Sequence, residues 1–425
     1  MNNLNLKFIV SAFLCLLISQ IGVAQLSKTH YIPPLTSAEL GNAYPEDQYI
    51  YISTPKTHDV IFTITPNDGT AFTGIVSNTT PYVHHIGFGD SQLFVSSNST
   101  SRRTTDKGYI IEAEDVIYVS LRMEAGGAQA GALVSKGTSA LDTVFRIGSY
   151  TNEDAQVNNW NNYLNFVSVM ASENDTQITF ANLPAGLIIK NYSGASPVII
   201  TLDRGESYTL ATNSADALIN EDGLIGCLVT SDKPIVVNCG SANGSFHNGG
   251  ARDYGIDQIV GLSKVGNEYI FVRGGGPNAW ENILIVPHEY PTDVFINGDL
   301  TPITINISDR YLLIEGDKYN DAGNMYVETS EDIFAYQGVG SSGEANQGMF
   351  FVPPLSCESR GDVNNIALID QIGENTLTGG ITIVTKADAT VLVNNFLLSR
   401  RTWRNERAGK LAPEPAARSP PAFQV

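Results

Sequence analysis

Histidine, cysteine and carboxylate side chains are the groups in this chain that could catalyse a reaction or bind a metal. The six histidines do not lie at a known metal-ligand spacing, and the adjacent His84 and His85 would point to opposite faces of a strand. The sequence has no Gly-x-Ser-x-Gly nucleophile motif, and the glycines at 274–276 do not open a helix pattern. We therefore predict no catalytic residue, no cofactor-binding residue and no metal ligand.

Two features leave an alternative open. Oxygen-bearing side chains gather in the segment DKYNDAGN, at Asp317, Asn320, Asp321 and Asn324. Calcium takes roughly six to eight oxygen ligands and this spacing is not that of an EF-hand loop, so calcium stays an alternative to the prediction of no cofactor. Trp160 and Trp280 lie in polar loops. There a tryptophan could stack on a sugar, but we favour packing at the edge of a core.

The cysteines suggest one covalent link. Cys227 and Cys239 flank GCLVTSDKPIVVNC, which resembles a hairpin that turns at Asp232 and Lys233. Such a hairpin would bring the two cysteines almost opposite each other, so a disulfide between them is a candidate. Two buried free thiols are the alternative. Cys357 is left without an evident partner.

The elements that must position these groups are short strands that recur along the chain. Four segments, at 50–64, 167–180, 283–298 and 381–394, show a strand with alternating apolar residues, a polar turn and a second strand. Aligning them makes Val60, Ile178, Val294 and Val391 equivalent. A second predicted hairpin recurs between them, at 111–121, 228–238 and 326–336, with Val116, Ile235 and Ile333 equivalent.

The spacing predicts an all-β fold built from repeated units of about 100 residues. Two architectures suit that size. One is a propeller-like ring in which each unit supplies two four-stranded blades, and the other is a series of tandem β-sandwiches. Strand signals continue through every junction without a linker-like composition, so we favour the propeller-like ring.

The two ends of the chain differ from the repeats. Residues 1–24 resemble a secretory signal peptide, with Lys7, an apolar run from Phe8 to Ile18 and small residues before Gln25. No second apolar stretch could span a membrane, so we expect a secreted chain without a transmembrane segment. Residues 399–425 form a basic tail rich in Pro and Ala. We interpret this tail as disordered or out of frame, and the repeat domain at 25–398 as truncated at its C-terminal end.

Charge limits the partners. The formal net charge is −19, and six of the 25 Lys and Arg residues lie in the tail alone. An acidic surface repels phosphate groups, so nucleic acid is not expected as a partner.

Four phrases in order carry a family resemblance: SKTHYIPPLT, TSDKPIVVNCGS, DYGIDQIVGLSKVGNEYIFVRG and FVPPLSCES. Together they resemble the IgGFc-binding protein N-terminal domain, in the form found in secreted proteins of Flavobacterium-like Bacteroidetes, over about residues 28–398. The resemblance implies an extracellular, all-β module without known enzymatic activity, which in a full-length parent could be attached to the cell surface. It provides no binding residue that can be transferred to this sequence.

The leading hypothesis is therefore an extracellular binding or adhesion module that recognises a protein or glycan and catalyses nothing. A carbohydrate-active enzyme is one alternative, which would show a cleft holding two close carboxylates, one with a raised pKa. A structural spacer is the other, which would show no concave site and no cluster of exposed aromatic residues.

Overall fold

The computed structural model describes residues 26–37, 43–126, 129–153, 164–248, 252–340, 345–356, 366–377, 382–385, 390–393 and 396–397. The predicted signal peptide, the basic tail, Trp160 and Cys357 lie outside these residues. The described chain consists of strands, turns and short 3-10 helices at Ser97–Ser99, Gly137–Ala140, Leu218–Asn220, Leu262–Lys264, Asn278–Trp280 and Gly316–Lys318. The prediction of an all-β fold is confirmed.

The strands form three successive units, each built around one sheet of seven or eight strands. Unit 1 contains β1 (Ser27–Ile32), β2 (Leu35–Ser37), β3 (Pro45–Ser53), β4 (Val60–Pro66), β5 (Phe72–Val76), β6 (Tyr82–Phe88), β7 (Phe94–Ser96), β8 (Arg103–Thr104), β9 (Tyr109–Ala125) and β10 (Gln129–Val134). Unit 2 contains β11 (Asp142–Arg146), β12 (Leu164–Ala171), β13 (Thr176–Ala181), β14 (Val198–Leu202), β15 (Ser207–Asn213), β16 (Leu228–Gly244) and β17 (Asp253–Ile259).

Unit 3 contains β18 (Gly266–Val272), β19 (Asn282–Pro287), β20 (Thr292–Ile296), β21 (Ile303–Ile305), β22 (Leu312–Ile314), β23 (Asn324–Gly340) and β24 (Asn346–Val352). Two short antiparallel pairs follow, β25 (Gln371–Ile372) with β26 (Asn375–Thr376), and β27 (Leu392–Val393) with β28 (Phe396–Leu397). The hairpin predicted at 381–394 lies partly outside the described residues, and its described part contributes only β27.

One strand of 17 residues organises each unit: β9, β16 and β23. The first part of β9 pairs with β4 and β1, and its second part pairs with β3 and β10. The strand therefore belongs to two half-sheets of four strands, β5-β4-β9-β1 and β6-β3-β9-β10. The long strands of units 2 and 3 divide their sheets in the same way.

The second recurrent hairpin was a wrong prediction, because each of those segments lies within one continuous strand. Residues 113–116 of β9 bulge away from β1, since Thr29 pairs with Glu112 while Ser27 pairs with Ile117. The same shift occurs at 231–234 and at 329–332. These polar segments interrupt the apolar alternation as a turn does, but the chain continues and passes from one half-sheet to the other.

The pairing also corrects the register within unit 1. Ile117, Ile235 and Ile333 are equivalent, because they face Ser27, Asp142 and Gly266 after the shift, so Ile117 replaces Val116 in the alignment. In the first set, Phe62, Ile178 and Val294 are equivalent through their partners Ala113, Ser231 and Thr329, so Phe62 replaces Val60. The repeat itself, with its order and spacing, is confirmed.

The two half-sheets of a unit enclose one hydrophobic core. In unit 1, Ile50 and Ile52 of β3 pack in the same buried cluster as Phe62 and Ile64 of β4. Each unit is thus a barrel-like body rather than two separate sheets, and the arrangement of the units as a closed propeller-like ring stays a prediction.

The units are joined by buried contacts. Strands β10, β17 and β24, the last sheet strands of the three units, lie together at one junction. The Asp257 side chain in β17 accepts hydrogen bonds from Nζ of Lys136, which follows β10, at 3.1 Å, and from the backbone N–H of Phe351 in β24, at 3.0 Å. Strand β12 is buried on both faces, because Phe166 packs into the core cluster of unit 1 and Val167 into that of unit 2. Buried side chains therefore link unit 1 to unit 2 and unit 2 to unit 3.

The segment 366–377 covers part of the outer face of unit 1. The buried Arg122 guanidinium donates to the backbone oxygens of Ala367, Leu368 and Gln371, and it lies 3.9 Å from the ring centre of Tyr51. Because a buried guanidinium needs several acceptors, these bonds fix the segment against the half-sheet of β3.

Candidate functional site

A cluster of accessible aromatic rings lies where the barrel of unit 1 opens. Strands β5 and β6 are joined by a tight turn in which Ser77 and Thr80 exchange backbone hydrogen bonds of 3.1 and 3.2 Å. Nevertheless β5 pairs with β4 and β6 pairs with β3, so the two strands belong to different half-sheets. The hairpin is splayed, and side chains between its strands are reached from outside.

We call this feature the aromatic opening and define it by Phe62, Phe72, Tyr82 and His84. Phe62 is buried and forms its floor, with its ring centre 5.1 Å from that of Tyr82. The Phe72 ring stacks on Tyr82 at 5.5 Å and lies 5.8 Å from His84. Phe72 keeps 40% of its surface exposed. Aromatic rings that pack against the protein on one side and are exposed to solvent on the other form a surface suited to binding.

A glycine in β5 makes room for the floor of the opening. A Cβ atom on Gly74 would lie 2.4 Å from Cζ of Phe62, closer than any van der Waals contact allows. The Phe62 ring therefore passes directly beneath the β5 backbone at this residue. Any other residue at position 74 would displace the ring on which Tyr82 packs.

More rings lie on the outer face of β6. The Tyr49 and His85 rings are 5.0 Å apart, and Nε2 of His85 lies 2.9 Å from Oδ1 of Asp47. Further along, Phe88 is 60% exposed and its ring centre is 6.1 Å from that of Tyr44. Thus β6 presents aromatic or imidazole side chains on both of its faces.

Burial of the rings keeps the aromatic opening uncharged. Desolvation, and secondarily the charge of His85, lower the pKa of His84. Desolvation raises the pKa of Tyr82. His84 is therefore neutral at neutral pH, and both side chains offer polar tips on otherwise apolar rings.

Carboxyl groups with raised pKa values occur elsewhere, in structural positions. Burial raises the pKa of Asp253 to about 7, and it also raises the pKa of Asp257 and of Glu281. All three accept backbone N–H groups; Glu281 alone accepts those of Gly274, Gly276 and Gly340. Such carboxylates are held inside the fold as acceptors, which differs from a catalytic acid that faces substrate.

Two small cavities of the described chain are lined by none of these three carboxyl groups. One, of about 240 Å³, is lined by acidic groups including Glu289, Glu331 and Asp332 beside His288. The other, of about 200 Å³, lies near Arg102 and Lys107. Asp253, Asp257 and Glu281 therefore lie away from both cavities.

The predicted covalent link depends on Cys227 and Cys239. Both are buried free thiols in the core of unit 2, and burial raises the pKa of each to about 12. The hairpin that suggested the disulfide does not form, because Cys239 lies within the continuous strand β16 and Cys227 immediately before it. The disulfide itself stays a prediction that thiol labelling can test.

The remaining sequence candidates have structural surroundings. Trp280 is buried, with its ring edge-on to His247. In the segment for which calcium was left as an alternative, the Asn320 side chain accepts hydrogen bonds from the N–H groups of Ala322 and Asn324, and Asp317 pairs with Lys318. No group of three or more His, Cys, Asp or Glu side chains suited to a metal occurs among the described residues.

Sequence reasoning missed the aromatic opening. The segment YVHHIGF of β6 has rings that point to both faces of the strand, and from the sequence alone both faces could equally well have been buried. No local signal shows that they are accessible, because this depends on what lies beside β6.

Comparison with known proteins adds a family. The profile of the family described as IgGFc binding protein matches residues 130–412, which is more than half of the chain. The match starts in β10, so the aromatic opening lies before the matched residues. No curated protein sequence matches the chain. Among the described residues, no helix has the length and apolar character needed to cross a bilayer.

Proposed function

The chain belongs to the IgGFc-binding protein family, and from this membership we propose that it is an extracellular binding module which recognises a protein or glycan. Secretion follows from the signal peptide predicted at residues 1–24. The family's name refers to one ligand, the Fc part of immunoglobulin G, and we extend only the general property of binding to this chain. An origin among Flavobacterium-like bacteria is part of the same proposal.

The observation that carries the proposal is the aromatic opening. Phe72, Tyr82 and His84 form a contiguous set of rings on a fixed β scaffold, so a ligand would meet them without a large ordering cost. Aromatic residues are enriched at protein interfaces, tyrosine is frequent among the residues that dominate their binding energy, and such rings also stack on sugars.

Two other functions have less support. An enzyme would place a raised-pKa carboxyl in a cleft, whereas Asp253, Asp257 and Glu281 are buried acceptors of backbone N–H groups. A spacer would bury its aromatic residues, whereas Phe72 and Phe88 are exposed. Binding without catalysis therefore remains our proposal.

The experiment is a binding panel with matched variants. Mucin, purified polysaccharides, host glycoproteins and the Fc fragment are immobilised, and binding of the chain is followed by surface plasmon resonance. Phe72→Ser removes the most accessible ring of the opening. Ile199→Ser is the control, because Ile199 is 58% exposed on β14, an edge strand of unit 2.

We expect Phe72→Ser to weaken binding at least about tenfold, which corresponds to about 1.4 kcal/mol for an aromatic anchor. Ile199→Ser should bind like the parent chain. If no panel member binds, the proposed function loses its support. If a ligand binds both variants equally, binding stands but its location at the aromatic opening is wrong.

A further inference from the structure

Strand β6 of unit 1 has an equivalent in unit 2 that is covered by other chain segments. Ile52 and Val169 are equivalent through their partners on the long strands, Val119 and Val237. Their second partners are Tyr82 of β6 and Tyr208 of β15. The same residue type thus occupies the same place in both units, and β6 corresponds to β15.

The free edge of β15 is extended by two pieces of backbone. Arg103 and Thr104 of β8 pair antiparallel with Tyr208 and Ser207, so a strand from unit 1 joins the sheet of unit 2. Beside it, the N–H of Ser101 donates to the oxygen of Thr209 at 2.8 Å. All seven residues of β15 are buried, and Tyr208 keeps only 5% of its surface exposed.

The second piece comes from the connection between β13 and β14. The N–H of Lys190 donates to the oxygen of Ala211 at 2.8 Å, and Ile189 forms an antiparallel bridge with Thr212. Together, the two pieces donate hydrogen bonds to the outward backbone oxygens of Thr209 and Ala211 in β15.

In the part of the chain that the structure describes, β6 pairs with β3 and with no other strand. Val83 is equivalent to Thr209 and His85 to Ala211, because their partners on β3 and β12 are equivalent. The backbone oxygens of Val83 and His85 therefore point away from β3, as those of Thr209 and Ala211 point away from β12. Both residues are exposed.

We propose that the edge of β6 binds an extended segment of a partner polypeptide, which adds to the half-sheet as an antiparallel strand. The inference rests on the proposed function and names the class of its ligand. The N–H groups of the segment would donate to the oxygens of Val83 and His85, as Ser101 and Lys190 donate in unit 2. The hydroxyl groups of a glycan do not reproduce the regular row of backbone N–H and C=O groups with which a strand edge pairs, so the partner that we propose is a polypeptide.

The side chains along β6 define the segment further. Tyr82 and His84 face Phe72, so alternate side chains of the added strand would lie against the rings of the aromatic opening. These side chains should be apolar. A shift in the pairing between Gln48 and Tyr49 leaves Ile86 as a bulge, which limits regular pairing to the stretch from Tyr82 to His85. The strongly acidic chain favours a neutral or basic segment.

The test uses a synthetic peptide of alternating Val and Thr with a Lys at each end, acetylated and amidated. Two further peptides of the same sequence, which we call the methylated twins, carry N-methyl groups on the backbone, one at every Val and the other at every Thr. With Val directed into the opening and the strands antiparallel, only one set of amides faces β6. One twin should therefore lose binding while the other keeps it, because N-methyl groups on the solvent edge disturb nothing.

Val83→Pro is the matching change in the protein. Proline removes an N–H that points away from β3, and edge strands tolerate it at such positions. Val83→Thr is the control, since it keeps the backbone donor and changes only the side chain. Circular dichroism and thermal melting show whether both variants fold, and the methylated twins test the intact chain should Val83→Pro not fold.

Isothermal titration should show peptide binding at concentrations up to about 1 mM, weakened about tenfold or more by Val83→Pro and unchanged by Val83→Thr. The inference is overturned if the peptide does not bind the intact chain, if Val83→Pro binds it equally well, or if both methylated twins behave alike. A panel ligand that still binds Val83→Pro at full strength would leave the proposed function intact and remove strand addition alone.

Discussion

The buried Asp253 should make stability depend on pH through the junction of units 1 and 2. Its side chain is only 5% exposed, and its Oδ1 accepts the backbone N–H groups of Ala130 and Tyr254, each at 2.9 Å. Burial outweighs these two bonds and raises the pKa of Asp253 from 3.8 to about 7. Replacing it with Asn keeps an oxygen acceptor of the same shape and removes the titration.

The direction in which stability changes with pH depends on whether the folded or the unfolded chain holds the proton of Asp253 more tightly. Because the pKa is higher in the folded chain, the stabilisation is complete below about pH 4 and is lost as the pH rises through about 7. The shift is about 3 pKa units at roughly 1.4 kcal/mol each, so the free energy of unfolding should fall by about 4 kcal/mol over this range. Asp253→Asn should not show this loss.

Urea unfolding of both proteins between pH 4 and pH 8 measures the difference in unfolding free energy, and hydrogen exchange in β10 and β17 locates it. We expect the free energy of unfolding of the Asp253→Asn variant, relative to that of the parent chain, to increase steadily as the pH rises. Asp321→Asn, at an exposed loop carboxyl, controls for the change in net charge. A difference between parent and Asp253→Asn that is constant with pH would refute the burial argument.

Two further predictions concern the interior. Asp257→Asn leaves Lys136 buried without its counter-ion and should lower the free energy of unfolding by about 3–5 kcal/mol. The double variant Lys136→Met with Asp257→Asn removes both charges and keeps an oxygen acceptor for the backbone N–H groups, so it should cost less. Equal losses in urea unfolding would contradict the ion-pair explanation. Burial raises the pKa of the thiols of Cys227 and Cys239 to about 12, so in the folded chain neither should react with a maleimide. When the chain is unfolded in the absence of reductant, mass spectrometry should find both thiols labelled. If neither is labelled under these conditions, the result would instead support the disulfide.

Apolar alternation was enough to predict the class of fold and the repeat. In strands such as β4 and β13 every second residue is buried, and the order and spacing of the strands recur in the structure as expected. The bulge within each long strand could not be recognised in the same way. The segments 113–116 and 231–234 are short and contain charged or polar residues, as turns do. Only their pairing with β1 and β11, which are distant in sequence, shows that the strand continues through them.

The aromatic opening was beyond prediction for a related reason, since exposure of an edge strand depends on segments far away in sequence. Tyr82 and Tyr208 are equivalent tyrosines, but only Tyr208 is covered, by residues 101–104 of unit 1 and by 189–190. The second cover exists because the connection between β13 and β14, at 182–197, is long enough to fold back over β15.

In unit 1 the corresponding connection is confined to 67–71, too short to reach β6. Unit 3 has a similarly short connection at 297–302, and Leu312, at the position of the two tyrosines, is only partly buried. The length of this connection is therefore the one readable signal for an open edge. It becomes informative only after the register of the long strands has shown which strands are equivalent.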